Sequence, residues 1–303
     1  MRLLDCWIAG TVVLGHNTVM TIIDGRKIAA DVLERLADRP RVRKFLAAVL
    51  VGNDASSISF LKQKERTAQK LGVDFRQFQF PVSITKGVLR SKIKKIAADD
   101  ACGGVIVQLP LPNRDDEQDV LNAIPPSKDV DVLGETALAK FQTGENAAMP
   151  PAIGTVIEVL NSHLGDSNAT FRLLTTGTIA VVGAGRLVGK PIADWLRGKN
   201  KNLIVINIGD DIGKTKTADL VVSGAGVPGL ITPDMLKEGA VVIDFGYGKR
   251  TADSGERIGA GDFDALKIAN CKIENFTYTP TPGGTGPILV AKLFENFYAL
   301  NGG

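Results

Sequence analysis

Histidine is almost absent from this chain: His16 and His163 are the only two in 303 residues. That excludes a multi-histidine metal centre and argues against a histidine-based triad. Cysteine is equally scarce. Cys6, Cys102 and Cys271 form no C-x-x-C pair and no disulfide framework, so the natural compartment is a reducing cytoplasm and no metal is expected. Charge of one sign is lacking too. Thirty-six Lys plus Arg against 33 Asp plus Glu leave only +3, too little to point to nucleic acid or a membrane surface as partner. No apolar run approaches the roughly 18–20 residues a bilayer span demands. The short apolar stretch Cys6–Leu14 carries no secretory cleavage pattern, so residues 1–19 read as an N-terminal arm, or as an over-long start whose true beginning is Met20. With 44% hydrophobic and 23% charged residues the composition is globular rather than disordered, and the chemistry must rest on side chains other than His.

What is present is strand–helix alternation. Short β-rich runs at Phe45–Val51, Phe75–Phe80, Gly104–Gln108, Thr178–Val182, Leu203–Ile208, Leu220–Ser223 and Ala240–Phe245 predict strands. Several are continuous Val/Ile runs, as expected of parallel strands covered on both faces. Amphipathic stretches at Gly25–Ala37, Ser57–Leu71, Val88–Ala98, Gly154–His163 and Pro191–Gly198 predict helices between them. The fold class is α/β with parallel sheets. Residues 141–154 carry Pro150-Pro151 and little strand pattern, and they separate three strand candidates from four, so two α/β domains with a cleft between them are expected. The expected bounds are 1–19 for the arm, 20–148 plus 281–303 for a catalytic domain, and 149–280 for a Rossmann-like domain.

In the second half, the strand ending at Val182 runs into Gly183, Gly185, Gly189 and Pro191, and then into a helical pattern. Strand, Gly-rich turn and helix start present backbone N–H groups and the positive end of a helix dipole to a pyrophosphate. The spacing G-x-G-x-x-x-G is one residue longer than the usual dinucleotide fingerprint, and a connector that serves only tight packing is the alternative. The next strand leads to Gly209-Asp210-Asp211, where an acidic residue can bond a ribose or simply form a polar turn. Ser223-Gly224-Ala225-Gly226 follows a further strand, small enough to close over a flat ring. Gly183, Gly185, Arg186, Gly189, Asp210, Ser223 and Gly226 are therefore the candidate cofactor-binding residues.

In the first half, Ser57, Phe60 or Leu61, and Lys64 share one helix face. A lysine on an inward face can lose part of its basicity by desolvation and exchange protons near neutrality. The alternative is that Lys62, Lys64 and Lys70 form a solvated basic face. Gln108 closes a strand that breaks on Pro110 and Pro112, at the sheet edge where ligands bind. Asp129 and Asp131 lie in a turn and could accept hydrogen bonds from a heterocycle, or serve the turn alone. Thr279–Pro287 reads TPTPGGTGP and leads into a helix with Pro287 in its first turn. Its glycines leave free N–H groups, and Pro282, Gly283 and Gly286 are candidates for a substrate pocket.

Taken together, Val105–Pro112 (VIVQLPLP), Lys128–Asp131 (KDVD), Val181–Pro191, Gly239–Gly246 (GAVVIDFG) and Thr281–Pro287 (TPGGTGP) resemble the FolD family of bifunctional methylenetetrahydrofolate dehydrogenase/methenyltetrahydrofolate cyclohydrolases, in order and spacing, from about Ile22 to Phe297. The resemblance implies a two-domain α/β homodimer. It would oxidise 5,10-methylenetetrahydrofolate with NADP or NAD and hydrolyse the product to 10-formyltetrahydrofolate, without a metal. It implies that Lys64 is the lysine of a Y-x-x-x-K motif that handles protons. Gln108 would tune that lysine, Asp131 would bind the pterin ring, and Ser57 would lie nearby.

Three positions depart from the family pattern. The motif tyrosine is Phe60, which keeps a stacking surface and loses a hydroxyl donor. The usual G-R-S, associated with the 2′-phosphate of NADP, is Gly183-Ala184-Gly185. With Asp210 and Asp211 nearby this favours NAD, although Arg186, Lys214 and Lys216 could compensate. The P-C-T-P stretch reads Pro150-Pro151-Ala152-Ile153. Three other readings compete: a dehydrogenase with weak or no cyclohydrolase activity, a non-catalytic nucleotide-binding paralogue, and a shikimate-type two-domain dehydrogenase.

Overall fold

Residues 11–14, 18–251, 257–270, 273 and 275–302 are described by a computed structural model. Along the chain run β1 (Thr11–Leu14), β2 (Thr18–Ile22), α1 (Gly25–Ala37), β3 (Phe45–Val51), α2 (Ala55–Leu71), β4 (Phe75–Phe80), α3 (Lys86–Ala98), β5 (Cys102–Val107), α4 (Glu117–Leu121), α5 (Glu135–Thr143), α6 (Pro151–Leu164) and α7 (Ser167–Thr176). There follow β6 (Ile179–Val182), α8 (Gly189–Leu196), β7 (Leu203–Ile206), β8 (Leu220–Ser223), β9 (Ala240–Asp244), β10 (Gly248–Thr251), β11 (Arg257–Ala260), β12 (Asn275–Tyr278) and α9 (Thr285–Leu300). The predicted α/β class holds.

The chain forms two compact units, one comprising residues up to Ile28 with Thr155–Ile288, the other Ala29–Gly154 with Leu289 onward. The expected junction in residues 141–154 thus coincides with the end of the second unit's first segment. The expected start of the catalytic domain at residue 20 and its return at 281 fall inside the other unit, because β2 and the loop before α9 pack there. Of the expected arm, residues 1–10 and 15–17 lie outside the described residues.

The unit of Ala29–Gly154 is built on a parallel sheet in the order β4-β3-β5. Every residue of β3 is buried, since both faces are covered. Ala48 and Leu50 lie under Leu61 of α2, while Phe45, Ala47, Val49 and Val51 lie on the side of Leu89 and Ile93 of α3. That explains the unbroken apolar run in the sequence.

The other unit holds six parallel strands with β1 added antiparallel at one edge, in the order β1-β2-β12-β9-β8-β6-β7. The strand order reverses at β6, which has β7 on one side and β8 on the other, and such a switch point is where open α/β sheets bind ligands. The register aligns Ile206, Val182, Ser223 and Asp244 in one row across β7, β6, β8 and β9. The loops that follow these four residues therefore emerge at a single sheet edge.

Some elements differ from expectation. The strand begun at Leu203 stops at Ile206, and Ile208 is fully exposed in the turn that follows. β2, β12, α5 and α7 have no counterpart among the predicted elements. Among the described residues no helix is long and apolar enough to cross a membrane.

Candidate active site

The helix α2 is the platform of the first cluster. Asp54 caps it, its carboxylate accepting from Ser57 N–H at 2.8 Å, and Gly72 ends it in a left-handed conformation, φ 64°. An N-cap of this kind is worth about 1 kcal/mol. Its buried stripe is Ser57, Leu61, Lys64, Ala68 and Leu71, at helical spacing, so Lys64 is separated from its exposed neighbours Lys62 and Lys70. The solvated-face alternative fails for Lys64, which is 5% exposed.

Gln108 reaches the same point from the end of β5. Its backbone N–H donates to Val49 O at 2.9 Å, continuing the sheet by one residue. The side-chain amide donates to Leu109 O at 2.8 Å and thereby turns its oxygen toward Lys64, whose Nζ donates to it at 3.3 Å. The Phe60 ring centroid lies 5.0 Å from that Nζ, close enough for a cation–π contact.

Asp131 completes the cluster from a strained turn. Val132 adopts φ 53°, a left-handed conformation that costs a buried β-branched residue about 1–3 kcal/mol. The turn is held by Asp129, fully buried, whose Oδ2 accepts from Leu133 N at 3.0 Å and Gly134 N at 2.7 Å. Asp129 Oδ1 has no hydrogen-bond partner among the described residues. Burial, with Asp131 nearby adding repulsion against partial relief from the backbone donors, pushes the Asp129 carboxyl up to about 7. Burial also lowers the Lys64 pKa, against the opposing pull of Asp131, and raises that of Asp131, against the pull of Lys64. Both partners move toward their neutral forms, the condition in which an amine can accept a proton.

A second cluster lies at the sheet edge of the other unit. Gly183 (φ 84°) follows β6, and a Cβ there would stand 2.8 Å from the Ala225 backbone. Gly189 opens α8 with its Cα against the Gly183 carbonyl; a Cβ would overlap that oxygen. These two glycines are required by packing inside the protein. Gly185 differs: the nearest atom to a Cβ there is 3.8 Å away, so its freedom leaves open backbone at the sheet edge. Its exposed loop neighbour Ala184 donates N–H to Asn207 Oδ1 at 3.2 Å. This open glycine-lined backbone suits a pyrophosphate.

Asp210 is exposed, and one of its oxygens accepts from Asn207 N at 2.8 Å; Asp211 caps the following turn through Gly213 N. Both therefore serve as turn formers whatever else they bind. Ser223 is buried and its hydroxyl donates to Asp262 at 2.6 Å rather than facing outward. Arg186 is partly exposed in the loop, and Gly226 is exposed with φ 69°. In the TPGGTGP stretch Pro282 is exposed, Gly283 takes φ 100°, and Gly286 has open space around it. These three residues belong to the unit of the nucleotide-type loops, whereas Ser57, Phe60, Lys64, Gln108 and Asp131 belong to the other.

Sequence reasoning missed Asp244 and Asp262. Asp244 is buried at the end of β9, accepts from Gly246 N at 2.7 Å and Phe263 N at 2.9 Å, and is pushed by burial up to about 7. A carboxylate following an apolar strand is a recognisable signal; Asp262, in a short irregular segment, offers none.

Comparison with known proteins identifies the family. The model of the tetrahydrofolate dehydrogenase/cyclohydrolase catalytic domain matches residues 23–131, and that of the same family's NAD(P)-binding domain matches residues 167–301. The bifunctional protein FolD of Staphylococcus aureus (strain Newman) is 32% identical over 286 residues, covering 92% of this chain and 95% of the relative. The crystal structure of the bifunctional FolD dehydrogenase/cyclohydrolase from Campylobacter jejuni superposes with a TM-score of 0.81 at 28% identity, covering 93% of this chain and 99% of the other. That of the Trypanosoma brucei enzyme, complexed with NADP cofactor and inhibitor, gives 0.81 at 26% identity, covering 93% and 97%. The chain belongs to the tetrahydrofolate dehydrogenase/cyclohydrolase family.

Proposed function

We propose that the protein is a bifunctional enzyme. It transfers a hydride from 5,10-methylenetetrahydrofolate to a nicotinamide dinucleotide, giving the 5,10-methenyl cation and the reduced dinucleotide. It then adds water to that cation, giving 10-formyltetrahydrofolate and releasing one proton. The observation that carries this reading is Lys64, buried and donating to Gln108, in a chain whose family membership is established.

The two half-reactions ask different things of the chain. The bound dinucleotide supplies the hydride acceptor, and for that step the protein mainly positions and dries two rings. Hydration needs a proton acceptor. Lys64, with its basicity lowered by burial, removes a proton from the attacking water and returns it to solvent. Gln108 keeps the amine aimed, and Asp131 supplies an acceptor for N–H groups of the pterin. Ser57 and Phe60 on α2 contribute to the substrate pocket.

Gly183, Gly185, Arg186, Gly189, Asp210, Ser223 and Gly226 form or support the dinucleotide site. The proposed dinucleotide is NAD. Ala184 stands where the family pattern has arginine, and the exposed Asp210 and Asp211 would repel a 2′-phosphate. A cytoplasmic homodimer without a resident metal belongs to the same proposal and rests on the family resemblance. Its oligomeric part is tested by sedimentation of the purified protein.

The test of the function is turnover of 5,10-methylenetetrahydrofolate by purified protein with NAD or NADP. Formation of reduced dinucleotide and then 10-formyltetrahydrofolate is expected, with the larger kcat/KM for NAD. Absence of folate-dependent reduction with either dinucleotide would overturn the assignment, and preference for NADP would overturn its NAD part.

A further inference from the structure

Asp262 is fully buried, and its carboxylate gathers four donors from one short stretch. Oδ2 accepts from Ser223 Oγ at 2.6 Å, Ala225 N at 2.8 Å and Gly226 N at 3.3 Å, and Oδ1 accepts from Val227 N at 2.7 Å. The segment bearing it is itself clamped on both sides. Gly229 N donates to Gly261 O, Ile231 N to Asp262 O, and Asp264 N to Ile231 O, all at 2.8–3.0 Å, while Phe263 N donates to Asp244. Gly261 is required there, since a Cβ would meet Asp244 Oδ2 at 2.1 Å.

This arrangement has a directional consequence. In a planar trans peptide the N–H and the preceding C=O point opposite ways. With the N–H groups of Ala225, Gly226 and Val227 turned inward to Asp262, the carbonyls of Gly224, Ala225 and Gly226 turn away from it. The Gly224 carbonyl accordingly faces the Gly-rich loop, 3.8 Å from the Cβ position of Gly185. The loop after β8 therefore presents an acceptor, the Gly224 carbonyl, beside the open backbone of Gly185, while the Gly226 carbonyl lies 3.6 Å from the Cβ position of Gly248.

We propose that Asp262 is the positioning residue of the dinucleotide site, fixing the Gly224–Val227 loop so that the Gly224 carbonyl accepts from an N–H group of the nicotinamide carboxamide. The inference rests on the function proposed above and names which part of the dinucleotide this loop recognises. Asp262 touches no substrate; it acts through the loop, and Ser223 acts through Asp262. A neutral amide at position 262 would aim an NH2 group at inward-facing N–H donors and force the loop to reorganise.

The test compares the parent enzyme with Asp262→Asn, using the preferred dinucleotide and its analogue in which an acetyl group replaces the carboxamide and so carries no N–H. Hydrolysis of 5,10-methenyltetrahydrofolate, which consumes no dinucleotide, is the readout that a merely structural role would depress equally. For the parent, a KM about tenfold or more higher for the acetyl analogue is expected. In Asp262→Asn, KM for the natural dinucleotide should rise by a similar factor, the discrimination between the two should collapse, and hydrolysis should stay within about twofold. Unchanged KM, retained discrimination, or equal loss of both activities in a variant that still melts cooperatively would overturn the proposal. Should Asp262→Asn fail to fold, Ser223→Ala decides: a several-fold KM increase for the natural dinucleotide supports the proposal, and an unchanged value overturns it. A parent enzyme that reduces no dinucleotide with the folate would instead refute the function on which the proposal stands.

Discussion

Lys64 and Gln108 lie 44 residues apart in the chain and are joined by a buried hydrogen bond of 3.3 Å, from the lysine Nζ to the glutamine Oε1. The glutamine oxygen accepts more strongly from an ammonium than from a neutral amine, so it opposes the effect of burial on Lys64. Gln108→Leu should therefore lower the hydrolysis rate about tenfold and move the ascending limb of its pH profile to lower pH. Initial rates of methenyltetrahydrofolate hydrolysis across pH check both; an unmoved profile would separate Gln108 from the lysine.

Phe60→Tyr places a hydroxyl on the rim of the ring over which the Lys64 amine lies. The new donor should change the ratio of hydrolysis to oxidation, by about threefold or more given the worth of one hydrogen bond. Assay of both activities on one preparation measures the ratio. If it stays constant, the hydroxyl has no part in the proton path of this enzyme.

Gly189 and Gly185 should respond oppositely to alanine. A methyl at 189 overlaps the Gly183 carbonyl, so Gly189→Ala should destabilise the free protein by more than about 2 kcal/mol. A methyl at 185 meets nothing closer than 3.8 Å, so Gly185→Ala should leave the melting temperature within a few degrees. It should nevertheless weaken dinucleotide binding about tenfold, because it fills the open backbone beside which the pyrophosphate would rest. Calorimetric melting and dinucleotide titration distinguish the two effects.

Asp129 predicts an acid-favoured fold. Its carboxyl, ordinarily near 3.8, is raised to about 7 by burial, so between these values the folded state holds a proton that the unfolded chain releases. The stabilisation is full below about 4 and lost as pH rises through about 7. Urea midpoints should fall between pH 5 and 8, and Asp129→Asn, which cannot ionise, should reduce that fall, the raised Asp244 supplying a second share of it. An equal slope in the variant would assign the pH dependence elsewhere.

Legibility in the sequence followed burial pattern. β3 and β9 were readable because both of their faces are covered, which leaves an unbroken apolar run. β2 and β12 are short and mix Thr and Asn among apolar residues, so period and length said little about them. Lys64 was readable as one of an inward-facing set on α2, but burial alone separated it from Lys62 and Lys70. The turn that aims Asp131 depends on the left-handed Val132, a conformation no local preference announces. The service of Asp262 to a loop 35–39 residues earlier depends on tertiary pairing, which leaves no periodic trace. Ser223, a candidate cofactor-binding residue, turns its hydroxyl to that carboxylate.

Hydrolysis of 5,10-methenyltetrahydrofolate by Lys64→Met tests the account most directly, because methionine keeps an unbranched apolar stem out to Cε and lacks the amine. A fall of at least about a hundredfold in kcat, with the dissociation constant for the dinucleotide unchanged, is the predicted result. Hydrolysis at the parental rate would contradict it.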